Sequence, residues 1–160
     1  MTLLYRVQKQ NDFETVFFNG SLTEDAEIPL QDLLAKIEAV SCILNMKDVI
    51  QINSLGTRAW IHFIRKLEKN RTVVLEECTP AIVNQINITP SFRGKSTIAS
   101  LYAPYVCPNC NHEHLRLIKF GPEVPKTVVA LLSPLSCPNC GTRMEMDELE
   151  EEYFACLRRL

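Results

Sequence analysis

The sequence predicts an α/β domain with helices packed on a sheet, followed by a small cysteine-rich β module and a closing helix. Three observations predict this. Apolar strands alternate with helical patterns over residues 1–105, joined by short connections, as in sheets covered by helices. Two Cys-x-x-Cys pairs follow within residues 106–146. Residues 147–160 then have apolar positions at helical spacing.

The first predicted elements are a hairpin and a helix. Apolar and polar residues alternate from Leu3 to Val7, and after a polar break an apolar run extends from Phe13 to Phe18, which predicts a β-hairpin. Helical spacing begins at Pro29, a residue tolerated at the first helical position. The apolar residues of this helix are Leu30, Leu33, Leu34, Ile37 and Val40.

The most informative stretch is residues 42–67, where an apolar strand leads through a short turn into an amphipathic helix. Apolar residues change from strand spacing to helical spacing across the turn from Asn53 to Gly56. The helix is predicted to bury Leu55, Ala59, Trp60, Phe63, Ile64 and Leu67, and to expose Thr57, Arg58, His62, Arg65 and Lys66.

Ser54 lies at the predicted N-terminus of this helix, and two interpretations stay open. The first backbone N–H groups of a helix have no partner within it, and the helix dipole adds partial positive charge there. An oxyanion on Ser54 would therefore be stabilised. Serine is also a favoured N-cap residue, so capping alone explains its presence.

The alternation continues to residue 105. Arg71–Glu76 is predicted to be a strand, Thr79 and Pro80 begin a short helix, and Thr97–Tyr105 is predicted to be the last strand. The composition then changes to Cys, Pro and Asn, which places a domain boundary near residue 106.

The turn and the order of elements around it resemble the STAS domain family, the fold of bacterial anti-sigma-factor antagonists. In that family an Asp-Ser-Ser/Thr-Gly turn leads into a helix, and the Ser after the Asp is phosphorylated in partner switching. Ser54 and Gly56 match, whereas Asn53 and Leu55 depart from the motif. The resemblance implies a mixed sheet and a protein partner, such as a kinase or an anti-sigma-type regulator. The implied phosphorylation and partner-binding residues are Asn53, Ser54, Gly56, Thr57 and Arg58.

Two near-identical cysteine knuckles carry the strongest chemical signal. Cys107-Pro108-Asn109-Cys110 and Cys137-Pro138-Asn139-Cys140 are separated by 26 residues, and the segment resembles zinc ribbons. Four thiolates satisfy tetrahedral zinc and leave no position for water, so a structural zinc is predicted. Its ligands are Cys107, Cys110, Cys137 and Cys140.

The cysteine knuckles have a competing interpretation as a redox dithiol, but a thioredoxin-like context is missing. His112 and His114 are the only nearby residues that could replace a cysteine ligand. The predicted ribbon strands are His114–Phe120, Val128–Leu132 and Arg143–Met146.

Residues 147–160 are predicted to form a helix that packs on the α/β domain. Asp147 is positioned to cap it, and four glutamates follow in its first turns, where the helix dipole favours acids. The predicted apolar stripe is Leu149, Tyr153, Cys156, Leu157 and Leu160. The cysteines outside the knuckles, Cys42, Cys78 and Cys156, are predicted to be buried small hydrophobes.

Composition and charge limit the classes of function. The chain has 160 residues, 46% of them hydrophobic, and a formal net charge of -2, so it has no general attraction to nucleic acid or anionic membranes. Neither a membrane span nor a signal peptide is recognisable, and the paired cysteines favour metal binding over disulfides. A cytoplasmic protein is expected.

Since no catalytic constellation is recognisable, a non-enzymatic signalling module is the leading hypothesis. The alternative is a nucleic-acid-binding protein acting through the ribbon. The ribbon's basic residues are few, namely Arg116, Lys119, Lys126 and Arg143. A zinc hydrolase is disfavoured because no Glu or His lies beside the knuckles in a recognised motif.

Overall fold

The computed structural model describes residues 2–121 and 132–158. The elements are β1 (Leu4–Lys9), β2 (Phe13–Leu22), α1 (Glu27–Lys36), β3 (Ser41–Ile52), α2 (Ser54–Leu67), β4 (Thr72–Glu76), α3 (Pro80–Ile88), β5 (Thr97–Ile98), β6 (Ser100–Val106), β7 (Glu113–Lys119), β8 (Glu145–Met146) and α4 (Glu150–Tyr153). Short 3-10 helices cover Glu24–Ala26, Pro90–Phe92 and Phe154–Leu157.

The strands form two sheets. The larger sheet has the order β1-β2-β3-β4-β5, with β1 antiparallel to β2 and the other neighbours parallel. The smaller sheet has the order β7-β6-β8 and is antiparallel. The predicted α/β class, a mixed sheet with helices packed on it, is confirmed.

The core of the larger sheet is centred on Trp60 of α2, which is fully buried. Its ring lies 5.4 Å from the rings of Phe18 in β2 and Phe92 after α3. The indole Nε1 donates a hydrogen bond to the Phe92 carbonyl at 2.9 Å, so the polar atom of this large side chain is satisfied as burial requires. Trp60 thus fixes α2, and the turn before it, against the sheet.

The prediction of one strand over Thr97–Tyr105 is wrong, because the chain changes sheets at Ala99. β5 pairs with β4, and Ala99 donates its amide hydrogen to the Leu75 carbonyl at 2.8 Å. From Ser100 onward the strand pairs with β7 instead. Ser100 and Leu101 are both buried, so the alternation of buried residues shifts by one position just after the change.

The closing helix is shorter than predicted. Only Glu150–Tyr153 is α-helical, and Leu149 occupies the N-cap position with 69% of its surface exposed. Asp147 does not cap the helix, because its amide donates to the Pro104 carbonyl at 2.8 Å and holds it beside β6. Tyr153, Cys156 and Leu157 are buried. Leu160 lies outside the described residues.

The closing segment contacts the elements around α3. Asn87 donates its side-chain amide to the Tyr153 carbonyl at 3.0 Å, and the Tyr153 hydroxyl donates to the Tyr102 carbonyl. The buried Arg93 guanidinium donates to the carbonyls of Cys156 and Arg158 at 2.9 and 3.0 Å. These bonds tie the last described residues to the core.

Three smaller expectations also need correction or limits. α1 begins at Glu27, two residues before Pro29, because the preceding 3-10 turn leads directly into it. Val40 is 70% exposed, since it follows the end of α1. The predicted ribbon strand Val128–Leu132 falls outside the described residues apart from its last position.

Among the described helices, none has the length and apolar content to span a membrane.

Candidate interaction turn and metal centre

Asn53, rather than Ser54, caps α2. Its side-chain Oδ1 accepts a hydrogen bond from the Gly56 amide at 2.9 Å, and its backbone is extended, with φ -120° and ψ 179°. The expectation that Ser54 is the cap is therefore wrong. Asparagine and serine are about equally good N-cap residues. Because Asn53 takes the cap position, Ser54 becomes the first residue of the helix.

Ser54 and Leu55 present free backbone amides at the surface. The first helical amides that find acceptors are those of Gly56 and Thr57, which both donate to Asn53. Within the described part of the chain, the amides of Ser54 and Leu55 have no acceptor. Both side chains are exposed. The prediction that Leu55 is buried is wrong, because it lies in the first turn of α2 with 55% of its surface exposed. The turn therefore offers a hydroxyl, an apolar side chain and two N–H donors to solvent.

Gly56 brings the start of α2 into direct contact with the end of β2. A Cβ atom at this position would overlap the Leu22 carbonyl and come within 2.6 Å of the Thr23 amide nitrogen. The Asn53 amide also donates to the Leu22 carbonyl at 3.0 Å. The glycine is thus required by close packing, and the turn is rigidly attached to the sheet.

A carboxylate lies beside the turn although Asn53 itself is uncharged. The Asn53 side-chain amide donates to Glu24 Oε2 at 3.0 Å. A hydrogen bond from the backbone of Glu24 and the bond from Asn53 lower the pKa of this carboxyl group. Glu24 is therefore ionised at neutral pH. The sequence pattern around the turn does not predict its contact with Asn53.

The remaining predicted turn residues differ in accessibility. Arg58 is exposed, whereas only 8% of Thr57 is exposed and its hydroxyl has no partner among the described residues. The helical spacing predicts Thr57 on the exposed polar face, and this prediction is wrong. Thr57 is buried because Gly56 packs this end of the helix closely on β2.

A groove of about 290 Å³ runs from the turn between α1 and α2. Apolar side chains from both helices line it, and charged side chains form its edges. The lining residues from α1 include Leu30 and Leu34, and those from α2 include Leu55, Arg58, His62 and Lys66. The residues predicted from sequence near the turn therefore border a larger concave surface.

The four knuckle cysteines form one cluster. Their sulfur atoms all lie within 4.8 Å of one another, with 3.5 Å between Cys107 and Cys140 and 3.6 Å between Cys110 and Cys137. Zinc at about 2.3 Å from four tetrahedral thiolates requires sulfur separations of about 3.8 Å. The thiols therefore fit zinc in both number and spacing.

The two knuckles have the same backbone geometry. The backbone carbonyl oxygens of Cys107 and Cys137 accept hydrogen bonds from the amides of Asn111 and Gly141, both at 2.9 Å. Asn111 and Gly141 have positive φ angles of 60° and 76°, a conformation for which asparagine and glycine are the preferred residues. Each loop thus turns its two sulfur atoms toward the centre of the cluster.

The two exposed cysteines of the cluster have opposite pKa shifts. Hydrogen bonds with Thr142 and Asn109 lower the pKa of the Cys140 thiol to about 5, whereas burial and hydrogen bonds to the other three cysteines raise that of Cys110 to about 12. His112 is not a member of the cluster, since its Nδ1 accepts a hydrogen bond from Asn139 of the other knuckle at 3.2 Å. His114 is exposed on β7.

The cysteines outside the cluster have a different environment. Cys42, Cys78 and Cys156 are buried. Burial raises the pKa of the Cys42 thiol to about 11 and that of Cys156 to about 12, and it raises the pKa of Cys78 as well. These three side chains are neutral thiols packed in the core.

The ribbon shows little sign of a nucleic-acid surface. Arg116 donates to the Ser133 carbonyl at 2.8 Å and lies 5.7 Å from the centre of the Tyr105 ring. Lys126 falls outside the described residues. Basic side chains are therefore sparse on the described part of the ribbon, and one of them is engaged within the protein.

No protein-family model matches this chain, and no curated protein matches it. Among solved structures, an anti-sigma factor antagonist from Mycobacterium paratuberculosis is similar at a TM-score of 0.49 and 15% identity, over 61% of this chain and 85% of that one. The unphosphorylated anti-sigma factor antagonist SpoIIAA is similar at a TM-score of 0.45 and 16% identity, over 60% of this chain and 88% of that one. At TM-scores below 0.5, neither similarity supports a functional assignment.

Proposed function

We propose that this protein is a non-enzymatic regulatory module in which a protein partner contacts the turn formed by residues 53–58. The observation that carries the proposal is the exposed Ser54–Leu55 pair with its two free amides, set on a rigid base by the Asn53 cap and Gly56. Helix N-termini of this kind bind acidic groups. The accessible contact residues are Ser54, Leu55 and Arg58, whereas Asn53 and Gly56 position them.

Phosphorylation of Ser54 is the proposed switch. A phosphate adds about -1.5 to -2 charges at neutral pH, and the free amides and the exposed Arg58 would stabilise it. Glu24 accepts a hydrogen bond from Asn53, so a carboxylate is held at the residue before Ser54, where the family motif has aspartate. A bound partner would then be released or exchanged, with a kinase or an anti-sigma-type regulator as the proposed partner class.

The four-cysteine cluster is proposed to hold one structural zinc. Cys107 directly follows β6, and Cys140 lies five positions before the first residue of β8, so a metal there would hold the strands of the smaller sheet together. Metal binding in so small a module supplies much of its folding free energy. All seven cysteines are free of disulfides, which suits a reducing compartment and supports a cytoplasmic location.

Partner affinity for Ser54 variants tests the switch. Proteins retained by the wild-type chain from a lysate of its source are identified, and the affinity of a purified partner is then measured. Ser54→Ala should bind like wild type, and Ser54→Asp should bind about tenfold more weakly, or about 1.4 kcal/mol. Ser91→Asp, at another exposed serine, is the charge-matched control. Equal affinity for all four proteins would leave Ser54 without a role in partner binding.

The alternative, nucleic-acid binding through the ribbon, predicts a different result. Affinity for random-sequence DNA would fall steeply between low and high salt, because binding releases counterions from the phosphates. It would also fall on Arg143→Glu, a change far in sequence from Ser54. Negligible DNA binding at both low and high salt would contradict this alternative and leave the interaction proposal in place.

A further inference from the structure

The outer face of α2, together with Lys69 two residues beyond its end, has four unpaired cationic side chains and one histidine. Five basic side chains recur there at helical spacing, and all are exposed. In the described part of the chain, none of them forms an ion pair. They are Arg58, His62, Arg65, Lys66 and Lys69. The chain as a whole has a net charge of -2, so this face opposes the overall balance.

The α1–α2 groove borders this basic face. Three of the basic residues, Arg58, His62 and Lys66, line the groove along its α2 edge. The opposite edge is not basic: α1 contributes the acidic Glu27 and the uncharged Gln31, and the acidic Glu24 lies at the end near the turn. The floor is apolar, with contributions from Leu30, Leu34, Ala59 and Phe63. The groove is therefore polarised, with a basic edge and an acidic end.

The dimensions of the groove suit a protein segment. Its volume of about 290 Å³ lies at the lower limit of small-molecule pockets, which span roughly 300 to 1,000 Å³. Along α2 it extends from Leu55 to Lys66, a length of about 17 Å at 1.5 Å per residue. About three turns of a second helix, with apolar residues at i, i+3 or i+4 and i+7, would fill such a groove.

The charge pattern selects the chemistry of the occupant. Acidic side chains would pair with Arg58, His62 and Lys66. A nucleic-acid backbone would instead bring phosphates against Glu24 and Glu27 at the other edge, and like charges in contact are unfavourable. The pattern therefore favours a polypeptide whose own charges are segregated.

We infer that the α1–α2 groove binds an amphipathic helix of a partner protein. That helix has Asp or Glu along the edge facing α2 and a Lys or Arg near the end that lies at Glu24. The inference rests on the proposed function, because Leu55 and Arg58 belong to both the turn and the groove. It adds the chemistry of the partner, which the turn alone does not specify.

Fluorescence anisotropy with synthetic peptides tests the inference on the full, zinc-loaded chain. The probe is a peptide of about three helical turns, with leucine at helical spacing, glutamate along one edge and a lysine at one end. A scrambled peptide of the same composition is the control. The amphipathic peptide should bind at least about tenfold more tightly than the scrambled one, and added salt should weaken it.

Charge-reversal variants locate the binding surface. Arg58→Glu and Lys66→Glu should each weaken the amphipathic peptide severalfold, and the double variant should abolish binding. Lys119→Glu makes the same charge change at an exposed position of β7 and should have no effect. Leu55→Asp, also at an exposed site, should weaken binding without unfolding the protein, because it removes an apolar contact.

Three outcomes would overturn the inference. In the first, the scrambled peptide binds equally well. In the second, a DNA duplex binds more tightly than the peptide through Arg58 and Lys66. In the third, the chain self-associates with rising concentration and Arg58→Glu abolishes this, so the occupant is a second copy. The outcome for Ser54 is separate: if Ser54→Asp leaves partner affinity unchanged while the peptide shows the expected charge dependence, the switch fails and the groove stands.

Discussion

The side chain of Asn53 connects two segments that are 29 residues apart in sequence. Its Oδ1 caps α2 by accepting a hydrogen bond from the Gly56 amide, and its Nδ2 donates a hydrogen bond to Glu24 Oε2 at 3.0 Å. One residue thus satisfies a backbone amide in the first turn of α2 and holds the Glu24 carboxylate at the turn. Ser54 contributes a hydroxyl to the surface rather than a hydrogen bond to the helix.

This arrangement predicts that two neighbouring substitutions differ in their effect on the free energy of unfolding. Asn53→Ala removes the cap and should lower the free energy of unfolding by about 1 kcal/mol, the usual value for losing an N-cap. Ser54→Ala removes an exposed hydroxyl and should change it by less than about 0.5 kcal/mol. Urea denaturation of both variants with zinc present measures the difference. A larger loss for Ser54→Ala would contradict the assignment of Asn53 as the cap.

Sequence reasoning found the turn but not its internal roles. The change from strand to helical spacing located the junction between Ile52 and Leu67, because periodicity reports which side chains face the core. Asn53 and Ser54 are both good caps, so composition could not distinguish them. The contact with Glu24 could not be predicted, since it depends on how the 3-10 turn before α1 packs in three dimensions.

The second prediction concerns the close contact at Gly56. Gly56→Ala places a methyl group where the Leu22 carbonyl lies, so α2 must shift away from β2. Overpacking of this kind costs about 1 to 3 kcal/mol. Gly121→Ala is the control, because nothing lies within 4 Å of a Cβ atom there. Thermal unfolding that is equal for the two variants would show that the start of α2 tolerates displacement.

The third prediction uses thiol reactivity to test the metal centre. In zinc-loaded protein at mildly alkaline pH, an alkylating reagent should modify none of the cysteines quickly, because the buried thiols have raised pKa values and the clustered thiols would be bound to the metal. A chelator should release about one zinc per chain and expose the four knuckle cysteines. Mass spectrometry of the modified peptides identifies which cysteines react.

Two results would contradict that prediction. Metal analysis well below one equivalent, in protein purified without chelator, would argue against zinc. Rapid modification of Cys110 and Cys140 before the chelator is added would do the same, because both are exposed and only a bound metal would protect them. The buried Cys42 serves as an internal control, since it should stay unmodified until the whole chain unfolds.

The smaller sheet and the closing segment contain two features that the sequence pattern does not predict, the change of sheet at Ala99 and the exposure of Leu149. The knuckles were recognisable because metal ligation requires fixed residue types at fixed spacing. The change of sheet at Ala99 requires no fixed residue type, and its trace in the sequence is only a one-residue shift in the buried positions at Ser100 and Leu101. Helical spacing predicts that Leu149 belongs to the buried stripe, but Leu149 precedes the first helical residue and is exposed. Partners distant in sequence decided both features.

The last prediction concerns the docking of the closing segment, which is expected to stabilise the α/β domain. Tyr153 is 2% exposed, and its hydroxyl and carbonyl bond to Tyr102 and Asn87. Tyr153→Ala should therefore cost about 3 to 5 kcal/mol, as for other buried aromatics, and a chain ending at Met146 should be at least as unstable. Leu149→Ala, at a side chain 69% exposed, should cost little. If urea unfolds Tyr153→Ala and Leu149→Ala at the same concentration, the segment does not support the domain, and the bonds to Tyr153 contribute nothing to its stability.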